Sequence, residues 1–217
     1  MRFLRKQSPI LLFVWIGLLL FAFGASALSN FALAFVALAT LGLSLAPVVL
    51  ARHLSISVPT PFFVATTLFI AASIFMGEAF GFYDRVWWWD LALHGISAIG
   101  FGLFGFLFIF MLFEGDRYAA PPIAIAFLAF CLAVTVGSLW EVFEFFMDQA
   151  FGLNMQKSGL NDTMGDMVVN ALGAVIGAAS GFLFSRGRER GLFAPLIRQF
   201  IDANRRLYRK AKDQLKR

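Results

Sequence analysis

Six apolar runs dominate the 217-residue sequence, and each has the length of a membrane-spanning helix. A helix needs about 20 apolar residues to cross the hydrocarbon core of a bilayer. Hydrophobic residues make up 60% of the chain and charged residues only 14%, whereas a soluble domain usually carries about 25% charged residues. The sequence therefore predicts an all-α, polytopic membrane helix bundle with six transmembrane spans, at about 9–27, 31–50, 61–80, 90–113, 121–146 and 161–184.

The last span is followed by a basic tail. Residues 186–217 contain 11 Lys and Arg side chains against three acidic ones. The apolar side chains of the tail recur at helical spacing, which predicts a basic amphipathic helix on the membrane surface, with anionic lipid as its partner. These apolar side chains are Leu192, Phe193, Leu196, Ile197, Phe200, Ile201 and Leu207. The predicted domains are a six-span membrane domain, residues 1–185, and a cytoplasmic tail, residues 186–217.

The Lys and Arg side chains also predict the orientation. Six spans place 16 of the 18 on one side of the membrane and leave Arg85 and Lys157 on the other. Because cytoplasmic segments carry the excess of Lys and Arg, both termini are predicted to be cytoplasmic. The basic start, the first apolar run and Ala25-Ser26-Ala27 also resemble a cleavable signal peptide, although such apolar runs usually have about 7 to 15 residues. Whether the first span is cleaved stays open.

Polar side chains converge at one end of spans four, five and six, numbered in chain order. On a helix, each span's set forms one stripe, because its members recur every three or four residues. The stripes are Asp90, His94 and Ser97; Glu141, Glu144 and Asp148; and Asp162, Asp166 and Asn170. Successive spans run in opposite directions, so all three stripes fall in the outer half of the bilayer. The sequence therefore predicts a polar site that opens to the periplasmic side.

The composition of these stripes predicts metal chemistry. Ionisable groups at membrane depth cost about 2.5 to 3.5 kcal/mol each and usually serve a function. Closely packed carboxylates repel one another unless a cation or protons neutralise them. One imidazole with several carboxylates suits a divalent metal such as Zn, Mn, Fe or Mg. The predicted metal ligands are Asp90, His94, Glu141 and Asp166; the predicted catalytic bases are Glu144 and Asp162; and the supporting residues are Ser97, Asp148 and Asn170.

Two other functions use the same residues differently. In a proton- or cation-coupled transporter the carboxylates would form a relay, but residues 1–110 and 111–217 show no inverted repeat. In a membrane scaffold or assembly factor, the cluster would be interhelical packing. The single Cys131 excludes an intramolecular disulfide and a CxxC metal site. The sequence contains no nucleotide-binding loop and no haem ligand pair, and the tail's position beside a span argues against nucleic acid as its partner.

Three groups of residues carry a resemblance to known families. They are Trp89-Asp90 with His94 and Ser97; Trp140-Glu141 with Glu144 and Asp148; and Asp162-Thr163-Met164-Gly165-Asp166 with Asn170. With them the sequence resembles the YjdF-type family of small bacterial inner-membrane proteins, which implies location in the bacterial inner membrane. It is similar, more weakly, to the VanZ-like proteins of the cell envelope, although Met147 stands where that group has Gln. Neither family implies a named reaction.

From the residues themselves we expect a metal-dependent hydrolase or transferase in the membrane. Its polar site is expected to act on a lipid-linked or cell-envelope substrate, because the predicted site lies within the outer leaflet.

The predicted topology places Lys157 in the periplasm and Arg52 in the cytoplasm. In a Cys131→Ser background, Lys157→Cys is expected to react with a membrane-impermeant maleimide in intact cells. Arg52→Cys, the matched control, should react only after lysis. The reverse pattern would invert the proposed orientation.

Overall fold

The structure is a computed structural model that describes residues 8–113, 120–188 and 191–208. Within these ranges the chain is helical, with turns and loops between the helices and no β-strand. The helices are α1 (Pro9–Ala27), α2 (Phe31–His53), α3 (Thr60–Ile70), a π-helix (Ala71–Ala79), α4 (Phe82–Arg85), α5 (Trp89–Leu112), α6 (Pro122–Phe151), α7 (Leu160–Ser185) and α8 (Ala194–Ala203).

Six of these helical stretches are long and apolar enough to cross a membrane, which confirms the predicted span count for the described residues. The clearest difference in boundaries concerns α6, which continues to Phe151 rather than ending near 146. It stops there because Gly152 adopts a left-handed conformation, with φ of 67°, and its N–H bonds to the Asp148 carbonyl. The basic N-terminus, the loop around Arg117 and tail residues 189–190 and 209–217 lie outside the described residues.

The chain divides into two compact units, residues 1–89 and 90–217. In the first unit, α1 packs against α2 through Leu11, Trp15 and Val48, which are all buried. The Trp15 indole donates a hydrogen bond to the Ser44 hydroxyl at 3.0 Å. A buried indole N–H needs such a partner, so this bond defines how the two helices pack in apolar surroundings.

The third span changes from an α-helix to a π-helix part-way along its length. After Ile70 the α-helix continues as nine residues of π-helix, a form that usually occurs as a single turn. The Ser73 and Tyr83 hydroxyls lie 3.0 Å apart across the following turn. Gly77 lies against the Tyr83 ring so closely that a Cβ there would overlap it. This span therefore depends on a small residue at position 77 to accommodate the tyrosine.

In the second unit, α7 packs against α5 along a seam of glycines. A Cβ added at Gly173 would meet the Gly95 carbonyl of α5, and one at Gly177 would lie 2.8 Å from the Cα of Gly102. At Gly181 it would overlap the Phe106 ring. Since small residues let transmembrane helices approach closely, Gly173 and Gly177 bring the backbones of α5 and α7 into contact, and Gly181 leaves room for the Phe106 ring.

The described part of the tail packs against α5 within the second unit. Its helix, α8, spans ten residues, and Ile197 and Ile201 are fully buried, whereas Leu192 is 85% exposed. Beyond α8, the Tyr208 hydroxyl donates to the Leu107 carbonyl of α5 at 2.8 Å. Burial raises the pKa of the Tyr208 hydroxyl, so this group remains a donor. The helix is thus shorter than the predicted one, and most of its apolar face contacts protein; its lipid partner and the boundary at residue 185 stay predictions.

Loss of the Tyr208 contact is expected to destabilise the second unit. Tyr208→Phe removes one buried hydrogen bond, worth about 1 kcal/mol of unfolding free energy. Tyr208→Ala also leaves a cavity and should cost about 3 to 5 kcal/mol. Thermal unfolding in detergent measures both, with Leu192→Ala as an exposed control expected within about 0.5 kcal/mol. Equal melting temperatures for Tyr208→Ala and Leu192→Ala would contradict the docked tail.

Candidate functional site

The polar cluster is built around His94 in the first turns of α5. His94 is buried, and Asp90 lies one helical turn earlier on the same face. The His94 Nε2 atom is 3.6 Å from an Asp90 carboxylate oxygen. This separation is too long for a hydrogen bond, so the two groups are neighbours without direct bonding.

Helix α6 brings two further carboxylates to His94, one of which faces the other ring nitrogen. Glu141 and Glu144 are both buried, and a Glu141 oxygen lies 3.6 Å from His94 Nδ1. The Trp140 indole donates to Glu144 at 2.9 Å. The two ring nitrogens of His94 therefore face different carboxylates, Asp90 from the same helix and Glu141 from α6.

Helix α7 completes the cluster with Asp166 and Asn170, which are 1% and 3% exposed. The Asn170 amide nitrogen lies 3.2 Å from His94 Nδ1, and this hydrogen bond links α7 to α5. If the amide nitrogen donates, Nδ1 is the acceptor and the ring proton is on Nε2; rotation of the amide reverses both roles. Asn170 is therefore able to select which imidazole nitrogen is free to bind a ligand.

Several buried carboxylate oxygens of the cluster lack hydrogen-bond partners among the described residues. In the part of the chain that the structure describes, neither carboxylate oxygen of Glu141 makes a well-formed hydrogen bond, and Asp166 Oδ2 also lacks one. A buried acceptor left unpaired costs about 1 to 3 kcal/mol, and more if it is charged. The cluster therefore carries an energetic cost that protons or a bound cation would reduce.

The spacing of these groups fits a metal ion. Ligand atoms of Asp90, His94 and Asp166 all lie within 4.8 Å of one another, and so do those of His94, Glu141 and Glu144. Two ligands of a tetrahedral ion with bonds of 2.0 to 2.2 Å are about 3.3 to 3.6 Å apart. The 3.6 Å separations around His94 match that range, so small side-chain shifts would convert either group into a ligand set.

Comparison with known proteins gives the family. The model of the family described as "Predicted membrane protein (DUF2238)" matches residues 10–187. The chain belongs to this family. The predicted YjdF-type resemblance is thereby confirmed, because YjdF-type proteins are members of it.

One relative is found among the curated proteins. It is an uncharacterized protein of Thermotoga maritima, 30% identical over 112 residues, which cover 50% of this chain and 57% of the relative. The chain thus matches little more than half of that protein's length. No solved structure matches the chain. Membership of DUF2238 therefore establishes a membrane protein and names no reaction.

Three of the predicted site residues lie at the edge of the cluster and bond to backbone. The Ser97 hydroxyl donates to the His94 carbonyl within α5. Both Asp148 oxygens accept backbone N–H groups, from Met155 at 2.7 Å and from Gln156 at 2.9 Å. Asp162 accepts the Lys157 N–H at 3.1 Å. Asp148 and Asp162 therefore anchor the loop between α6 and α7, and a catalytic role of Asp162 stays a prediction.

One residue that the sequence analysis did not single out is Gly137 in α6. A Cβ added there would lie 2.7 Å from the Asn170 amide nitrogen and 2.9 Å from its Cγ. The missing side chain at this position leaves the space in which Asn170 reaches His94. Its position one turn before Glu141, on the same face of a helix, is the signal that could have identified it.

A side chain at position 137 is expected to disturb the Asn170–His94 bond. Gly137→Ala should lower the melting temperature in detergent, since the added methyl group displaces the amide. Gly95→Ala is the matched control, because a Cβ at Gly95 meets no atom within 4 Å. That control should be neutral or stabilising by up to about 1 kcal/mol, the usual difference between Gly and Ala inside a helix. Equal effects of the two variants would show that Gly137 has no special packing role.

Proposed function

We propose that this DUF2238 protein is a metal-dependent hydrolase or transferase that acts on a lipid-linked or cell-envelope substrate at the polar cluster of α5, α6 and α7. The observation that carries the proposal is the buried His94, whose two nitrogens each face a carboxylate 3.6 Å away, beside carboxylate oxygens that make no hydrogen bond among the described residues. A divalent cation would satisfy those oxygens and remove their mutual repulsion.

The geometry favours His94 Nε2, Asp90 and Asp166 as the ligands. This set needs only rotation of the Asn170 amide, whereas a metal at Nδ1 would have to displace Asn170 from the ring. The Asp90 side chain is 23% exposed, so this side of the imidazole is the more accessible one. Catalytic metal sites keep one position open for water or substrate, and an accessible side meets that requirement.

In this arrangement Glu141 does not bind the metal directly. With the metal at Nε2, the Nδ1–H of His94 points toward Glu141 and Asn170. Metal-binding histidines usually donate their other N–H to a carboxylate or carbonyl, which fixes the ring and increases its basicity. We therefore propose that Glu141 and Asn170 orient His94. Glu141 would be a ligand in the alternative position of the ion, at Nδ1 with Glu144.

Water activation completes the proposed mechanism. A bound divalent metal would polarise a substrate oxygen and lower the pKa of a coordinated water. A neighbouring carboxylate would then accept the proton. Glu144, held by the Trp140 indole, and Asp162, at the loop end of α7, are the proposed bases.

The lipid-facing wall of the site supports the substrate class. Trp140 bonds to Glu144, yet it is 46% exposed, and it contacts the half-exposed Phe143 with ring centroids 5.3 Å apart. One aromatic side chain thus connects the cluster to the surface that faces lipid. A lipid-linked substrate would reach the carboxylates from the bilayer beside Trp140, with its polar group toward α5 and α7.

Metal analysis of the purified protein tests the proposal. Wild-type protein is expected to hold about one equivalent of a divalent metal, and Asp166→Asn should lose it. Glu141→Gln should weaken metal affinity about 10- to 100-fold, the effect expected for a residue that orients a ligand. Asp148→Asn is the control, because Asp148 binds the loop backbone, and it should retain the metal.

Stability in the presence of a chelator distinguishes the metal site from polar packing. If the carboxylates repel one another in the metal-free protein, Asp166→Asn should be at least as stable as wild type there. If the cluster is interhelical packing, the same variant should lose about 0.6 to 1.7 kcal/mol, the range measured for polar contacts between membrane helices. A destabilised variant together with metal-free wild-type protein would reject the metal-dependent enzyme.

A further inference from the structure

A second concave site lies between α6 and α7, far from the polar cluster. Its volume is about 500 Å³, and it is lined by apolar side chains that include Phe127 and Phe130 of α6 and Val175, Ala179 and Phe182 of α7. Phe127 is 14 residues before Glu141, which corresponds to about 21 Å along the helix axis. The groove is therefore separate from the site assigned above.

One end of the groove carries a positive charge. The guanidinium of Arg186, at the C-terminal end of α7, lies over the Phe182 ring at 5.9 Å from its centroid. Phe182 also lines the groove, so its ring contacts the arginine and forms part of the apolar lining. Arg186 is exposed, so its charge is accessible to an anion that lies over this end of the groove.

We propose that this groove binds one anionic phospholipid, with an acyl chain between α6 and α7 and the phosphate against Arg186. Both helices have the length and apolarity of membrane spans, so the groove opens toward lipid. An arginine guanidinium binds phosphate through directed hydrogen bonds. The apolar lining and the terminal cation match the two chemically different parts of such a lipid.

The size of the groove favours a lipid over a helix from a second copy of the chain. A helix is about 10 to 12 Å wide, so even ten residues occupy about 1,200 to 1,700 Å³. The groove has about 500 Å³, within the usual range of roughly 300 to 1,000 Å³ for small-molecule sites. An acyl chain is the membrane component that fits an apolar space of this volume.

Native mass spectrometry of the full chain in detergent tests the site with two probes, phosphatidylglycerol and phosphatidylcholine with identical acyl chains. Wild-type protein is expected to retain one phosphatidylglycerol in preference to phosphatidylcholine. Arg186→Gln should reduce that preference about fivefold, the factor expected for one basic residue near a membrane phosphate. Arg205→Gln is the control, because Arg205 is paired with Asp202 at 3.3 Å on the tail.

Filling the groove tests the acyl-chain position. Ala179→Phe should reduce retention of both lipids, whereas Leu172→Phe, an exposed position of α7 outside the groove, should not. Ala179→Leu provides a smaller filling variant if the Phe variant does not elute as a single species. Equal retention of the two lipids by wild type, or unchanged retention in the filled variants, would overturn the proposal. A wild-type dimer that Ala179→Phe converts to monomer would also overturn it, by making the groove a contact between copies.

Discussion

The close approach of α7 to its two neighbours is the constraint on which the polar cluster depends. Gly173 and Gly177 bring the backbone of α7 against α5, and Gly137 lets α6 approach Asn170. A Cβ at any of the three would meet atoms of the adjacent helix at less than 3 Å. The distances around His94 therefore follow from backbone contacts made without side chains, and van der Waals packing of this kind replaces the hydrophobic effect inside a membrane.

This packing brings together carboxylates that repel one another when they are charged. Glu141, Glu144 and Asp166 are almost fully excluded from solvent, and the imidazole of His94 is the basic group that lies among them. Buried carboxylates at this spacing are stable only when protons, hydrogen bonds or a cation compensate their charge. The glycine contacts hold the three helices close together, and the groups that they bring together could hold a metal ion.

Much of the fold was predictable because its signals are local. Apolar runs of membrane length identified all six spans, and the stripes on α5, α6 and α7 identified the residues that meet at the cluster, since helical periodicity places i, i+3 and i+4 on one face. The extension of α6 to Phe151 was missed because polar residues after Phe146 resembled a loop, although Gly152 is the actual stop signal.

The features that the sequence did not predict depend on tertiary contacts, which helical periodicity does not reveal. An amphipathic pattern in residues 192–207 is the same whether its apolar face meets lipid or protein, so the docking of Ile197 and Tyr208 could not be read from it. Likewise, the helical stripes include Asp148 and Asp162, but no helical pattern predicts that both also bond to the backbone of the loop between α6 and α7. The role of Gly137 required knowing that α6 and α7 meet at Asn170.

The bond between Tyr208 and Leu107 also sets a time order for assembly during synthesis. The two residues are separated by 101 positions, so at about 5 to 20 residues per second the ribosome makes the donor roughly 5 to 20 s after its acceptor. During that interval α5 is already synthesised, but its Leu107 carbonyl lacks this partner and Phe110 lacks the tyrosine ring. The second unit thus passes through a state in which α5, α6 and α7 are complete and one end of α5 is still uncovered.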